Sequence, residues 1–131
     1  MIVIDASALL DLLLRRRAAP EIRARVAGEV ALHAPHLVDT EVLHALRRRV
    51  ARGELARRRA QEALDDLADL PLVRHPHLPL SPRVWAMRER LSAYDATYVA
   101  LAEGLDASLL TSDRRFARGA AGIAPLLDVS R

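Results

Sequence analysis

Cysteine does not occur in this 131-residue chain. No disulfide and no thiolate metal site can form, and a reducing, cytoplasmic compartment is expected. Lysine is missing as well, so all 20 Lys/Arg positions are arginine. Aromatic residues are scarce at 3%, and the apolar content is mostly Ala, Leu and Val. That balance argues against an all-β sandwich and for helices packed on a small sheet. No stretch is both long and apolar enough to span a membrane. The opening MIVIDASALL has no positive n-region, and Asp5 breaks its apolar run, so no signal peptide is expected.

What is present suits a single globular domain over residues 1–131, long enough to bury a real core. A hydrophobic fraction of 51% excludes a disordered chain. Net charge is +3, with arginine clustered at 15–17, 47–49 and 57–59. A GC-rich genome placing arginine codons on solvated helix faces accounts for that count. A surface suited to phosphates or to an acidic partner does so too, because guanidinium binds both in bidentate geometry.

The apolar pattern alternates between strand and helix periods. Residues 1–4 read as a buried parallel strand. Leu9, Leu10, Leu13 and Leu14 then set a helix over 6–16. Pro20 suits the first turn of a helix near 20–28, which Gly28 ends. A second strand is expected at 30–33. Pro35 begins a helix to about Ala51, and a further helix over 54–70 makes an αα-hairpin with it. Pro71 stops that helix, and 72–75 is a third strand. Ser81 as N-cap and Pro82 at the first helical position predict a helix to about Ser92. The next helix covers about 93–103 and ends at Gly104. A fourth strand at 107–111, a helical turn at 113–118 and a fifth strand at 125–129 complete the chain. Strands alternating with helices predict an α/β domain with a parallel sheet.

Four carboxylates stand out against that frame. Ligands bind beyond the carboxyl ends of strands in open parallel sheets. Asp5 directly follows the first strand and Asp113 follows the fourth; if those strands are neighbours, the two meet at one edge. Glu41 falls on the helical arc of Leu37, Val38, Val42 and Ala45. Asp95 shares a face with Leu91, Tyr98, Val99 and Ala102. A carboxylate on an apolar face is costly unless paired or bound to a cation. Mg²⁺ or Mn²⁺ prefers oxygen ligands and resolves both that cost and the mutual repulsion. Such a site suits phosphodiester hydrolysis, in which the metal activates water. Taken singly, Asp5 and Asp113 also read as helix N-caps, and Asp95 as a cap of helix 93–103.

These segments resemble the motifs of the PIN-domain family, and within it the VapC-type toxins of bacterial toxin–antitoxin pairs. IVIDASALLDLL is similar to the first motif and carries its acidic residue at Asp5. PHLVDTEVLHALRR resembles the second, with Glu41, and LSAYDATYVALAE the third, with Asp95. LLTSDRRF resembles the fourth, with Thr111 and Asp113 in a Thr-x-Asp core. The order and spacing hold over nearly the whole chain. The resemblance implies a three-layer α/β fold around a five-stranded parallel sheet. It implies a Mg²⁺- or Mn²⁺-dependent endoribonuclease, with transfer or ribosomal RNA as the usual target, leaving a 5′-phosphate and a 3′-hydroxyl. It further implies a homodimer and a cognate VapB-type antitoxin that can put a basic side chain into the acidic site. Ser7 matches a position where the family often carries Ser or Thr. Ser7 and Thr111 are supporting candidates that orient carboxylates or water, with helix capping and turn bonding as the alternative.

Arg47, Arg48, Arg114 and Arg115 are candidates for holding the RNA backbone. Asp39 is read as an exposed first-turn acid that favours the helix dipole, and Asp11 as a partner for Arg15. The five histidines show no zinc spacing. Trp85, with Met87 on one helix, reads as core or dimer interface rather than a stacking platform. A competing function is a non-catalytic module whose acidic pocket only captures a basic antitoxin tail in a regulatory complex. An aspartyl-phosphate phosphatase is excluded, because Asp5 is followed by Ala6 and Ser7 and no lysine exists.

Overall fold

A computed structural model describes residues 1–130; Arg131, the last position of the expected domain, lies outside the described residues. Among the described residues there are five strands: β1 (Ile2–Ile4), β2 (Leu32–Pro35), β3 (Leu72–His75), β4 (Ser108–Thr111) and β5 (Leu126–Asp128). The α-helices are α1 (Ala6–Leu13), α2 (Ala19–Val26), α3 (Leu37–Ala51), α4 (Arg57–Asp69), α5 (Ser81–Ala86), α6 (Ala93–Leu105) and α7 (Arg114–Ala120). The sheet is parallel throughout, in the order β3-β2-β1-β4-β5. Helices flank it, α1 packing with α2, α3 and α4 in one group and α5 with α6 in another, so the expected three-layer α/β architecture is present.

The order makes β1 the centre. The chain steps outward to β2 and β3, then returns to the other side of β1 for β4 and β5. The crevice between the carboxyl ends of β1 and β4 is therefore the topological switch point, where open α/β sheets bind ligands. Ile4 pairs with Leu110 there, so the residues after both strands emerge side by side. Strand residues Val3, Ile4, Leu109 and Leu110 are fully buried, together with Leu9 of α1, Val38 and Val42 of α3, and Val99 of α6. Among the described residues no helix is long and apolar enough to cross a membrane.

Several boundaries differ from the sequence expectation. The second strand lies at Leu32–Pro35 because burial selects Leu32 and Ala34, while Val30 is 96% exposed. Pro35 therefore ends a strand instead of starting a helix, and the helix begins at Leu37. Ser81 is not an N-cap: a 3₁₀ turn at Leu78–Leu80 leads straight into α5, and Ser81 already has helical φ and ψ. That helix stops at Ala86 rather than Ser92. Gly104 lies inside α6, and the terminating left-handed residue is Asp106 at φ 52°. Aspartate is one of the few side chains that enters that region readily.

Candidate active site

Asp5 leaves β1 and caps α1 in a single step. Its backbone is extended, and its Oδ1 accepts the Ala8 amide at 2.9 Å, so capping and site placement use the same carboxylate. Two hydroxyls aim at it as well. Ser7 Oγ donates to Oδ1 at 2.7 Å, and Thr111 Oγ1, from the end of β4, donates to Oδ2 at 2.6 Å. Ser7 in turn accepts the Ser112 amide, and Thr111 accepts the Asp113 amide. Ser7 and Thr111 thus tie the two strand ends to one carboxylate 4% exposed. Burial pushes Asp5 up to about 7 despite those donors, with the charge of Asp113 adding to the rise.

Asp113 caps α7, its Oδ1 accepting the amides of Arg115 and Phe116 at 2.9 and 3.1 Å. Asp95 is not the cap of α6. Ser92 holds that place and accepts the Asp95 amide at 3.1 Å, which puts Asp95 in the first turn. All three aspartates therefore sit at helix N-termini, where the dipole favours negative charge. Burial, then the charges of Asp113 and Glu41, raises Asp95 to about 6, and Arg115 opposes the rise. Glu41 projects from α3, half-buried, and burial raises its proton affinity. Tyr98 of α6 donates to Glu41 Oε1 at 2.6 Å.

Tyr98 has no functional role in the sequence reading. Its spacing from Asp95 marked it only as a residue of the same apolar face, and nothing local reveals that its hydroxyl meets a helix 57 positions away. The ring is buried at 2% exposure, and burial and the Glu41 and Asp5 charges push its proton affinity strongly upward, so it is a neutral donor.

The four carboxylates are electrostatically coupled: Asp5 to Asp113, and Asp95 to Asp113 and Glu41. Among the described residues no three His, Cys, Asp or Glu side chains are gathered tightly enough to hold an ion as they stand. The donor chemistry nonetheless fits a hard divalent cation. Ser7 has one proton, and with it directed at Oδ1, Asp5 Oδ2 keeps a lone pair beyond the Thr111 bond. Mg²⁺ retains most of its waters and takes only one or two carboxylates directly. A cation relieves the rise that burial and neighbouring negative charge impose on Asp5 and Asp95.

Of the arginine candidates, Arg115 lines a cleft of about 440 Å³ together with Asp95 and Asp113. Arg114 is exposed in the first turn of α7. Arg47 is exposed on α3, and Arg48 lines a separate recess with Arg16, Arg49, Arg52 and Glu54, whose lining includes none of Asp5, Glu41, Asp95 and Asp113. Asp39 is not a free exposed acid: Arg74 of β3 grips it with two hydrogen bonds of 2.5 and 2.8 Å. Asp11 pairs with Arg16 at 3.6 Å rather than with Arg15, which has left the helix at φ 54°. Trp85 is 69% exposed on α5, so it is not core, whereas Met87 beyond the helix end is buried.

Fold and site define an α/β protein with a carboxylate cluster at the switch point of its sheet. The PIN domain model matches residues 2–122, and the chain belongs to that family. Ribonuclease VapC9 of Mycobacterium tuberculosis is 42% identical over 131 residues, covering 100% of both chains. The crystal structure of PAE2754 from Pyrobaculum aerophilum superposes with a TM-score of 0.65 at 27% identity, covering 99% of this chain and 93% of that one. A toxin-antitoxin complex from Klebsiella pneumoniae shares the fold at a TM-score of 0.71 and 20% identity, with 98% of each chain covered.

Proposed function

We propose that this protein is a divalent-cation-dependent endoribonuclease, the toxin of a VapC-type toxin–antitoxin pair, working as one domain over residues 1–131. The observation that carries the reading is the Asp5 carboxylate at the switch point, buried, held by Ser7 and Thr111, and coupled to a second carboxylate on the neighbouring strand end. Family membership and the ribonuclease name of a relative 42% identical over its full length support the same activity.

Asp5, Asp95 and Asp113 would hold the ion, directly or through water, with Mg²⁺ first and Mn²⁺ as the substitute. When bound, it supplies a Lewis acid that lowers the pKa of a water and stabilises charge developing on the phosphate. The remaining work falls to the chain. Ser7 and Thr111 fix the Asp5 oxygens, which keeps the acidic edge ordered. Glu41 orients the attacking water: Tyr98 holds Oε1, and no other hydrogen bond is formed to Oε2 among the described residues. Its raised proton affinity suits a group that takes a proton from water. Arg114 and Arg115 flank Asp113 and hold the RNA backbone, with Arg47 and Arg48 further along α3. Water attacks phosphorus in line, leaving a 5′-phosphate and a 3′-hydroxyl.

The acidic pocket also suits the basic side chain of a VapB-type antitoxin, and the VapC name of a relative 42% identical over its full length supports such a partner. A homodimer in the cytoplasm completes the proposal, with transfer or ribosomal RNA as substrate. The test is RNA cleavage with Mg²⁺ or Mn²⁺ by wild type and by Asp5→Asn. Cleavage by wild type alone is expected; equal activity in both overturns the assignment.

A further inference from the structure

The carboxylate cleft does not end at Asp95. Leu91 and Ser92 line both it and a second cleft of about 440 Å³, so the two are neighbours across that segment. The second cleft is walled by Val84, Trp85, Arg88 and Thr97, and its lining contains no carboxylate. Its tryptophan is 69% exposed, and Leu78 and Tyr94, from the preceding turn and the start of α6, are 81% and 61% exposed. Of these three, Trp85 is the one that lines the cleft, with an exposed aromatic face turned to it. The indole is also held in place. Arg88 Nη1 donates to the Trp85 carbonyl at 3.0 Å, and the guanidinium lies 4.7 Å from the ring centroid. A cation therefore stacks on the same ring that lines the cleft.

Resting on the ribonuclease reading, we propose that this cleft is a nucleobase subsite. An unpaired base of the RNA strand stacks on Trp85, and the phosphate beside it passes Arg88 on the way to Asp95 and Asp113. An indole accepts any base, because every base has a π-face. Proteins that read unpaired RNA do so by stacking bases on aromatic rings and guanidinium planes. Charge favours RNA. A strand brings the anion that Arg88 lacks in this cleft, where no carboxylate lines the wall.

Trp85 is the single tryptophan of the chain, so tryptophan emission, excited at wavelengths where tyrosine does not absorb, reports on this ring alone. The experiment titrates the Asp5→Asn protein, with Mg²⁺ present, with a short single-stranded RNA and with an abasic strand of equal length. Saturable quenching by the RNA and none by the abasic strand is expected. In anisotropy measurements with labelled RNA, Trp85→Ala should bind roughly 5- to 150-fold more weakly, and Trp85→Phe should recover most of the loss. Three results overturn the subsite: equal quenching by the abasic strand, unchanged RNA affinity in Trp85→Ala, or an emission that follows protein concentration without RNA, which assigns the face to a second copy. If wild type still cleaves RNA in any of these cases, only the subsite falls. If the protein neither binds nor cleaves RNA, the ribonuclease reading falls with it.

Discussion

Tyr98 donates a hydrogen bond of 2.6 Å to Oε1 of Glu41, joining the middle of α6 to the first turns of α3. The bond lowers the proton affinity that burial raises in Glu41. Tyr98→Phe removes the donor and keeps the ring in its buried place. We expect a stability loss of about 1 kcal/mol, the net value of one hydrogen bond. The acid limb of the kcat/KM profile should move to higher pH, because Glu41 then holds its proton more tightly. A purely structural role for Tyr98 predicts the stability loss with an unchanged pH profile.

Asp5 carries opposite consequences for activity and stability. Its folded-state pKa of about 7 lies above the ordinary aspartate value of 3.8. The folded form therefore holds the proton more tightly than the unfolded form, and this contribution to stability is full below pH 4. It is lost as pH rises toward 7. Metal-free protein in chelator should melt lower at pH 8 than at pH 5 for this reason, and Mg²⁺ should raise the midpoint at pH 8 far more than at pH 5. Asp5→Asn should abolish RNA cleavage while raising the metal-free midpoint at pH 8. Calorimetry at both pH values checks the pair, and a variant that is destabilised at pH 8 contradicts it.

Thr111 touches Asp5 without facing solvent, since it is fully buried and donates to Oδ2 at 2.6 Å. Thr111→Val keeps the shape and deletes that donor, along with the acceptor for the Asp113 amide. Residues that orient metal ligands typically contribute 10- to 100-fold to metal affinity or activity. A loss of about that size is expected at low Mn²⁺, with partial recovery as Mn²⁺ is raised. A loss independent of metal concentration assigns Thr111 to folding alone.

Asp39 and Glu41 lie two residues apart and do different work. Arg74 binds Asp39 through two hydrogen bonds and so staples α3 to β3. Asp39→Asn should lower the melting temperature and leave kcat per folded molecule near wild type. Glu41→Gln should do the reverse. Equal loss of kcat in both variants removes the distinction.

Much of this arrangement was legible in the linear chain. MIVI followed by Asp5, and SLLTS followed by Asp113, announce strands that end at an acidic residue, because buried parallel strands are short apolar runs. The helical periods around Glu41 and Asp95 put each on an apolar arc. Boundaries were less legible. Val30 is as apolar as Leu32, and only the packing of the sheet selects which is buried. Ser81 and Gly104 carry the right chemistry for a cap and a stop, yet a preceding 3₁₀ turn and a left-handed Asp106 displaced both.

Local periodicity and side-chain chemistry along the chain were enough to set the alternation of strands and helices and the identity of the acidic residues. Which distant groups meet was left to packing. It set β1 beside β4, aimed Thr111 at Asp5, brought the Tyr98 hydroxyl to Glu41, and took Asp39 out of reach through Arg74. It also left Trp85 in the open, next to the carboxylate cleft. These pairings span 35 to 106 positions. At such separations the partner is chosen by how whole elements pack, and a pattern read over one helical turn or one strand holds no record of it.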